Sequence, residues 1–167
     1  MEKLMRYNIA DYLNIGTDSE EYALMGTGFN SLNESPNAQV DTKAYINDKS
    51  TSSTTTGYQG QFPFEADMIK DERALMKLYE IGRNQKTGVD AEVDYVRVEL
   101  FEPVASKENT FKARKFRCST EISDISGEGA QPLVLSGNLN QVGDLIDGEF
   151  NTTTKTFTEA ASAAPTT

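Results

Sequence analysis

The chain reads as a series of short segments in which apolar and polar positions alternate, the period of a half-buried strand. The clearest is 92–101 (EVDYVRVELF), with Val93 and Tyr95 on one face and Val96, Val98 and Leu100 on the other. The change of phase between Tyr95 and Val96 predicts a bulge, or a strand buried on both faces. Segment 111–122 alternates through Phe116, Cys118, Thr120 and Ile122. In 39–46, Val40, Thr42, Ala44 and Ile46 share one side, and Gln39, Asp41, Lys43 and Tyr45 the other. In 58–66, Phe62, Phe64 and Ala66 point inward against Gln61, Pro63 and Glu65. Segment 132–141 sets Leu133, Leu135 and Leu139 against Val134, Ser136, Asn138 and Asn140.

One segment has helical spacing. Over 67–82, Leu75, Leu78, Tyr79 and Ile81 form an apolar stripe fit to lie on a sheet. Asp67 or Asp71 can cap its first amides, Asp71 and Glu72 suit its positive end, and Gly82 is a plausible stop. The pattern is that of a mainly β domain with one helix packed on it.

Two segments depart from globular composition. Residues 47–60 (NDKSTSSTTTGYQG) carry an unbroken Ser/Thr run from Ser50 to Thr56 between two strand-like segments. A hairpin needs only about two to five connecting residues, so this connection is expected to be a long polar loop. Extended at ~3.3 Å per residue, half of it would project ~20 Å from the sheet. Residues 159–167 (EAASAAPTT) hold no large core-forming side chain and are expected to form a loose tail outside a domain of residues 1–158.

Composition narrows the chemistry. The chain has 167 residues and a formal charge of −10, spread along its length, with no histidine and a single cysteine, Cys118. At this length roughly two-thirds of the open chain's surface can be buried, enough for one core without staples. One cysteine excludes an internal disulfide framework, and the lack of histidine removes the usual general base and the commonest transition-metal ligand. No cofactor is expected. No apolar run of ~18 residues occurs, and Glu2, Arg6 and Asp11 interrupt the N-terminus, so neither a membrane span nor a signal peptide is expected. Acid pairs at Glu20/Glu21 and Asp71/Glu72 read as solvation and capping, and Asp144–Gly148 has the wrong spacing for a calcium loop. Gly26-Thr27-Gly28 lacks the strand–helix context of a phosphate loop. The one basic cluster, Lys112, Arg114, Lys115 and Arg117, reads as a solvated strand face in preference to a polyanion site, and Glu99, Glu102 and Glu121 can pair with it on a neighbouring strand or subunit. Nothing here supports an enzyme.

The N-terminal half carries a resemblance. Ala10-Asp11-Tyr12-Leu13, Tyr22, Leu24-Met25-Gly26, Gly28-Phe29, Leu32, Glu34, Pro36 and Tyr45-Ile46 occur ahead of the Ser/Thr-rich connection. Tyr58-Gln59, Phe62-Pro63-Phe64-Glu65, the helix and Val96-Arg97-Val98-Glu99-Leu100-Phe101 follow. Together they resemble the major tail proteins (tail tube proteins) of long non-contractile-tailed bacteriophages, over about residues 6–150.

The resemblance implies a β-sandwich or partly closed barrel flanked by one helix, with hexameric rings stacked into a tube that conducts the genome into the host. Four strands from each subunit would join edge to edge into an inner barrel of ~24 strands. The connection at Asn47, Asp48, Lys49, Ser50, Thr51, Ser52, Ser53, Thr54, Thr55, Thr56 and Gly57 would reach the adjacent ring, and the terminal arms would add contacts. Leu75, Leu78 and Tyr79 would seal the core beneath the helix. The implied partners are further copies of the chain, a tape measure protein, tail terminator and distal tail proteins, and double-stranded DNA in transit, with no membrane bound by this chain. The implied location is the virion tail, after synthesis in the host cytoplasm. Candidates for the bore, taken from the faces opposite the core, are Asp41, Lys43, Gln59, Gln61, Glu65, Asn138 and Asn140; Lys43 could instead pair with Asp41 or with Glu65 of a neighbour. Rival readings are the inner tube of a contractile tail, tailocin or secretion system, and an adhesin-like binding module. The second expects an exposed aromatic platform, yet Trp is absent.

Overall fold

The computed structural model describes residues 1–160. Its strands are β1 (Ile9–Asn14), β2 (Tyr22–Leu24), β3 (Phe29–Leu32), β4 (Ala38–Lys43), β5 (Ser52–Tyr58) and β6 (Gln61–Asp67) before the helix α1 (Arg73–Arg83). After it come β7 (Glu92–Pro103), β8 (Thr110–Ser126), β9 (Val134–Gln141), β10 (Ile146–Asn151) and β11 (Thr156–Glu159). Among the described residues no helix is long and apolar enough to cross a membrane.

Nine strands make one sheet with the path β2-β1-β7-β8-β9-β6-β3, to which β10 adds along β8 and β11 along β10. The fold is mainly β with one flanking helix, and its sheet stays open: β2 and β3, the ends of the path, share no ladder. β8 is 17 residues long and changes partner along its length. Thr110–Lys115 pair with β10, and Cys118–Ser126 pair with β9.

Two apolar clusters lie on opposite faces. Phe62, Phe64, Val93, Tyr95, Phe116, Cys118, Leu135 and Leu139 pack beneath the helix with its Ala74, Leu78 and Ile81. Tyr12, Tyr22, Val96, Val98, Ala113 and Phe150 form the second cluster. Strands β1 and β10 stand three places apart, which at ~4.8 Å per place would separate them by ~14 Å in a flat sheet. The Tyr12 and Phe150 ring centroids are 4.4 Å apart, so the sheet curls strongly at this end. The phase change in 92–101 is thereby explained: Val93, Tyr95, Val96, Arg97 and Val98 are all buried, because β7 is covered on both faces. The one register irregularity between β7 and β8 falls later, between Glu99 and Pro103.

Several expectations are corrected. The helix begins at Arg73 rather than near Asp67, because Asp67 ends β6 and pairs with Val134. Its N-cap is Glu72, without a side-chain cap bond, so neither Asp67 nor Asp71 serves. Leu75 and Leu78 are fully buried, whereas Tyr79 is only partly so. Gly82 is not the stop; it lies within α1, where a Cβ would come within 3.0 Å of the Ile122 side chain. The strand expected at 39–46 ends at Lys43. The long loop is half strand, since Ser52–Gly57 belong to β5. Leu133 is exposed at the foot of β9. Of the expected loose tail, Glu159 completes β11 and the Ala160 amide donates to the Asp147 carbonyl at 2.9 Å; residues 161–167 lie outside the described residues.

Candidate assembly surfaces

Three features stand out from the core. The first is a polar sheet face. β6 pairs with β9 so that Gln61 meets Asn140, Pro63 meets Asn138 and Glu65 meets Ser136. β9 pairs with β8 so that Asn140 meets Ser119 and Asn138 meets Glu121. Alternation puts all these side chains on the face turned away from the helix. Glu121 accepts from the Asn138 and Asn140 amides at 2.9 and 3.4 Å. Four of the bore candidates, Gln61, Glu65, Asn138 and Asn140, thus share one surface, and the register adds Ser119, Glu121 and Ser136. It is acidic and amide-rich. Asp41 and Lys43 lie elsewhere, on β4, joined at 3.7 Å in an exposed ion pair. Gln59 lies in the short link between β5 and β6.

The second is a projecting hairpin. β4 and β5 pair only with each other among the described residues. All their residues are exposed except Gly57, which is partly buried. Register gives the hairpin two unlike faces: Val40 opposes Thr55 on one, and Asp41 opposes Thr54 on the other. Tyr45 and Ile46 sit exposed in its connecting turn. An isolated two-stranded hairpin is marginal in water, and this one has no core of its own among the described residues.

The third is a chain of charges that sequence patterning did not single out. Asp11 and Arg97 are both buried. Arg6 Nη2 donates to Asp11 Oδ2 at 2.5 Å and to the Leu32 carbonyl at 3.1 Å. The Tyr95 hydroxyl donates to Asp11 Oδ1, and Arg97 Nη1 donates to the Tyr95 oxygen at 3.2 Å. Arg97 Nε stands 3.6 Å from Glu34, which accepts a two-pronged grip from Arg114 at 2.7 and 2.9 Å. Burial pushes the Glu34 carboxyl up, but the Arg114 hydrogen bonds and the charges of Arg114 and Arg97 together hold it below the ordinary glutamate value. Burial and the Asp11 charge raise the Tyr95 hydroxyl well above its usual range, so it stays a proton donor. The available signal was phase: Arg97 continues the Val93–Tyr95 face of β7.

Three of the four cations in the basic cluster of β8 are paired within the chain rather than simply solvated, while Lys112 is exposed. Beside the Arg114–Glu34 grip, Lys115 meets Glu20 at 2.7 Å, and Arg117 meets Asp94 and Glu92 at 3.2 and 3.3 Å. Of the expected carboxylates only Glu99 approaches it, 3.9 Å from Arg114. Cys118 is buried, and desolvation pushes its thiol up to about 12. Among the described residues no three His, Cys, Asp or Glu side chains are grouped to hold a metal ion.

No family model and no curated protein sequence matches the chain. Solved structures do. A chain from the tail of an empty GTA particle, refined with sixfold symmetry, superposes at a TM-score of 0.57 and 10% identity, covering 86% of this chain and 97% of that one. The fold is tail-tube-like. A chain from the sixfold-symmetrised baseplate of the anti-feeding prophage (AFP) superposes at 0.50 and 8% identity, covering 87% and 95%. The matched fold accounts for most of the described chain; the polar face and the hairpin lie on its surface, and the ionic chain runs inward to the buried Asp11 and Arg97.

Proposed function

We propose that this chain is the structural subunit of a viral tail tube, assembling as six-membered rings that stack around a bore for double-stranded DNA. The observation that carries the reading is the naked hairpin: a tail-tube-like body extends two paired strands with no core of their own. On this reading β4, β5 and their turn cross to the adjacent ring, where burial of Val40, Tyr45 and Ile46 offsets the ordering of the hairpin. The unladdered ends of the sheet meet sister copies, which removes exposed edges. Further partners are a tape measure protein inside the growing tube and terminator and distal tail proteins at its ends.

The bore wall is assigned to Gln61, Glu65, Ser119, Glu121, Ser136, Asn138 and Asn140. Six copies of a −10 chain place −60 on each ring. With a screening length of ~8 Å at physiological salt, wall carboxylates repel phosphates only at close range. DNA is kept off the wall, and none of the seven assigned residues is a cation that would hold it. The likeness to the AFP chain favours a second reading, an inner tube inside a sheath; sheath-like subunits bound to the outside of isolated tubes would select it. Deletion of Ser50–Thr56, which removes most of β5, tests the stacking role. The variant is expected to fold and to give no long tubes by negative-stain electron microscopy. Tubes of wild-type length from it would overturn the assignment.

A further inference from the structure

The ionic chain meets the hairpin at its root. Glu34 lies just before the hinge: the next residue, Ser35, is the last one held by the body, exchanging backbone hydrogen bonds with Gln61 at 2.8 and 2.9 Å, and beyond it come Pro36 and Asn37, the latter at φ +49°. The return strand passes through Gln59, whose amide donates to the Asn37 carbonyl at 3.2 Å, and then Gly60. Beneath the root lies an open groove of about 440 Å³, lined by Glu34, Pro36, Tyr58, Phe62, Arg114 and Leu145 among others. The hairpin therefore has room to change its bearing, and the main side-chain tether across that groove is the Glu34–Arg114 grip.

We propose that Arg6, Asp11, Tyr95, Arg97, Glu34 and Arg114 form a positioning latch, which fixes the bearing of the 38–58 hairpin and couples it to the N-terminal arm. The proposal rests on the reading of the hairpin as the ring-to-ring contact. Three observations support it. The chain is buried at Asp11, Tyr95 and Arg97 and partly exposed at Arg6, Glu34 and Arg114. Such ion pairs are a poor source of net stability compared with apolar packing, but a two-pronged Arg–carboxylate contact fixes direction as apolar contact does not. The chain joins five pieces of backbone: the arm through Arg6, β1 through Asp11, β7 through Arg97, β8 through Arg114, and the hairpin root through Glu34. It is also short of bonds. Arg97 Nε and Arg114 Nε are buried without a hydrogen-bond partner, with carboxylate oxygens of Glu34 and Glu99 at 3.6 and 3.9 Å. A small shift of Glu34 would complete the first of them, so a tighter closed state lies within reach when a neighbour engages the hairpin.

The test is amide hydrogen exchange on the full-length, unassembled chain, with filament formation read in parallel. Glu34→Gln is expected to speed exchange at the root amides of Ser35, Gln59 and Gln61 by about ten- to a hundredfold, the loss of one charged hydrogen-bond pair. Amides in the middle of β7 and β8 should keep wild-type rates. Arg6→Ala, at a residue that does not line the groove, should loosen the same root amides, which is the coupling. If Glu34→Gln does not fold, Arg114→Lys decides, since it keeps the charge and loses the fork. Wild-type exchange at the root in the folded variants overturns the latch, as does an equal rise at root and core, which marks simple core support. Root loosening with tubes of normal length leaves the latch standing and sinks the stacking role of the hairpin.

Discussion

Replacing Gly82 with alanine sets two terms of opposite sign against each other. Glycine inside a helix is worse than alanine by roughly 0.5–1 kcal/mol, so propensity alone favours the change. Packing opposes it. An added Cβ would stand 2.8, 2.9 and 3.0 Å from Cγ2, Cβ and Cγ1 of Ile122, where carbon pairs prefer ~3.5–4.0 Å. Rotating χ1 of Ile122 does not relieve the contact, because its own Cβ is one of the three atoms and is fixed by the strand backbone. Helix and sheet must separate by more than half an ångström, an overpacking that costs about 1–3 kcal/mol. The net expectation is a loss of about 1 kcal/mol, or a fall in Tm of ~2–4 °C at this chain size. Thermal and urea unfolding followed by far-UV circular dichroism measure it. In an Ile122→Ala background, which removes two of the three clashing atoms, the cost of Gly82→Ala should shrink by at least ~0.5 kcal/mol. A rise in Tm for Gly82→Ala, or an identical cost in both backgrounds, would refute the account of helix packing.

Leu75→Ala should lose about 3–5 kcal/mol because Leu75 is fully buried, whereas Tyr79→Ala, from a half-buried site, should lose clearly less; equal losses in urea titrations would contradict the burial difference. The folded-state pKa of Glu34 is depressed, so its contribution is present above the unfolded carboxylate value of ~4.3 and is lost as pH falls through the lower folded value. The stability difference between wild type and Glu34→Gln should therefore be constant at neutral pH and narrow in acid; a constant difference down to pH ~2 would be inconsistent with the shift. The Cys118 thiol, buried and raised to about 12, should resist alkylation at pH 8 in native protein and react on unfolding. Rapid labelling of the native chain would show that β8 opens locally.

The core strands were legible because one face of each is buried. Phe62/Phe64/Ala66, Phe116/Cys118/Thr120 and Leu135/Leu139 alternate for that reason, and both-face burial was foreseen as one explanation of 92–101. β5 was hidden for the opposite reason. Its partner β4 is as exposed as it is, so no burial imposes alternation on either Ser52–Thr56 or its neighbour. The remaining cue was the β-branched content of Thr54, Thr55 and Thr56. The helix start was misplaced because acids at 67, 71 and 72 look like caps, while β6 takes Asp67 into its ladder with β9. Of the bore candidates, Gln61, Glu65, Asn138 and Asn140 share a face because the alternation in both strands matches their β6–β9 pairing. Ser119 and Glu121 joined them only through the β8–β9 register, and Asp41 and Lys43 left with the hairpin. Pairings such as Arg114 with Glu34, 80 residues apart, have no local signature at all.

The central claim is that this domain works only in the company of its own copies. Helical cryo-electron microscopy of the concentrated, purified chain tests it most directly. The account predicts hollow filaments of uniform width with six subunits per ring, Glu65 and Glu121 facing the bore, and the 38–58 hairpin lying across each ring boundary. A chain that stays a single compact particle at every concentration, or filaments that turn the Gln61–Asn140 face outward, would contradict it.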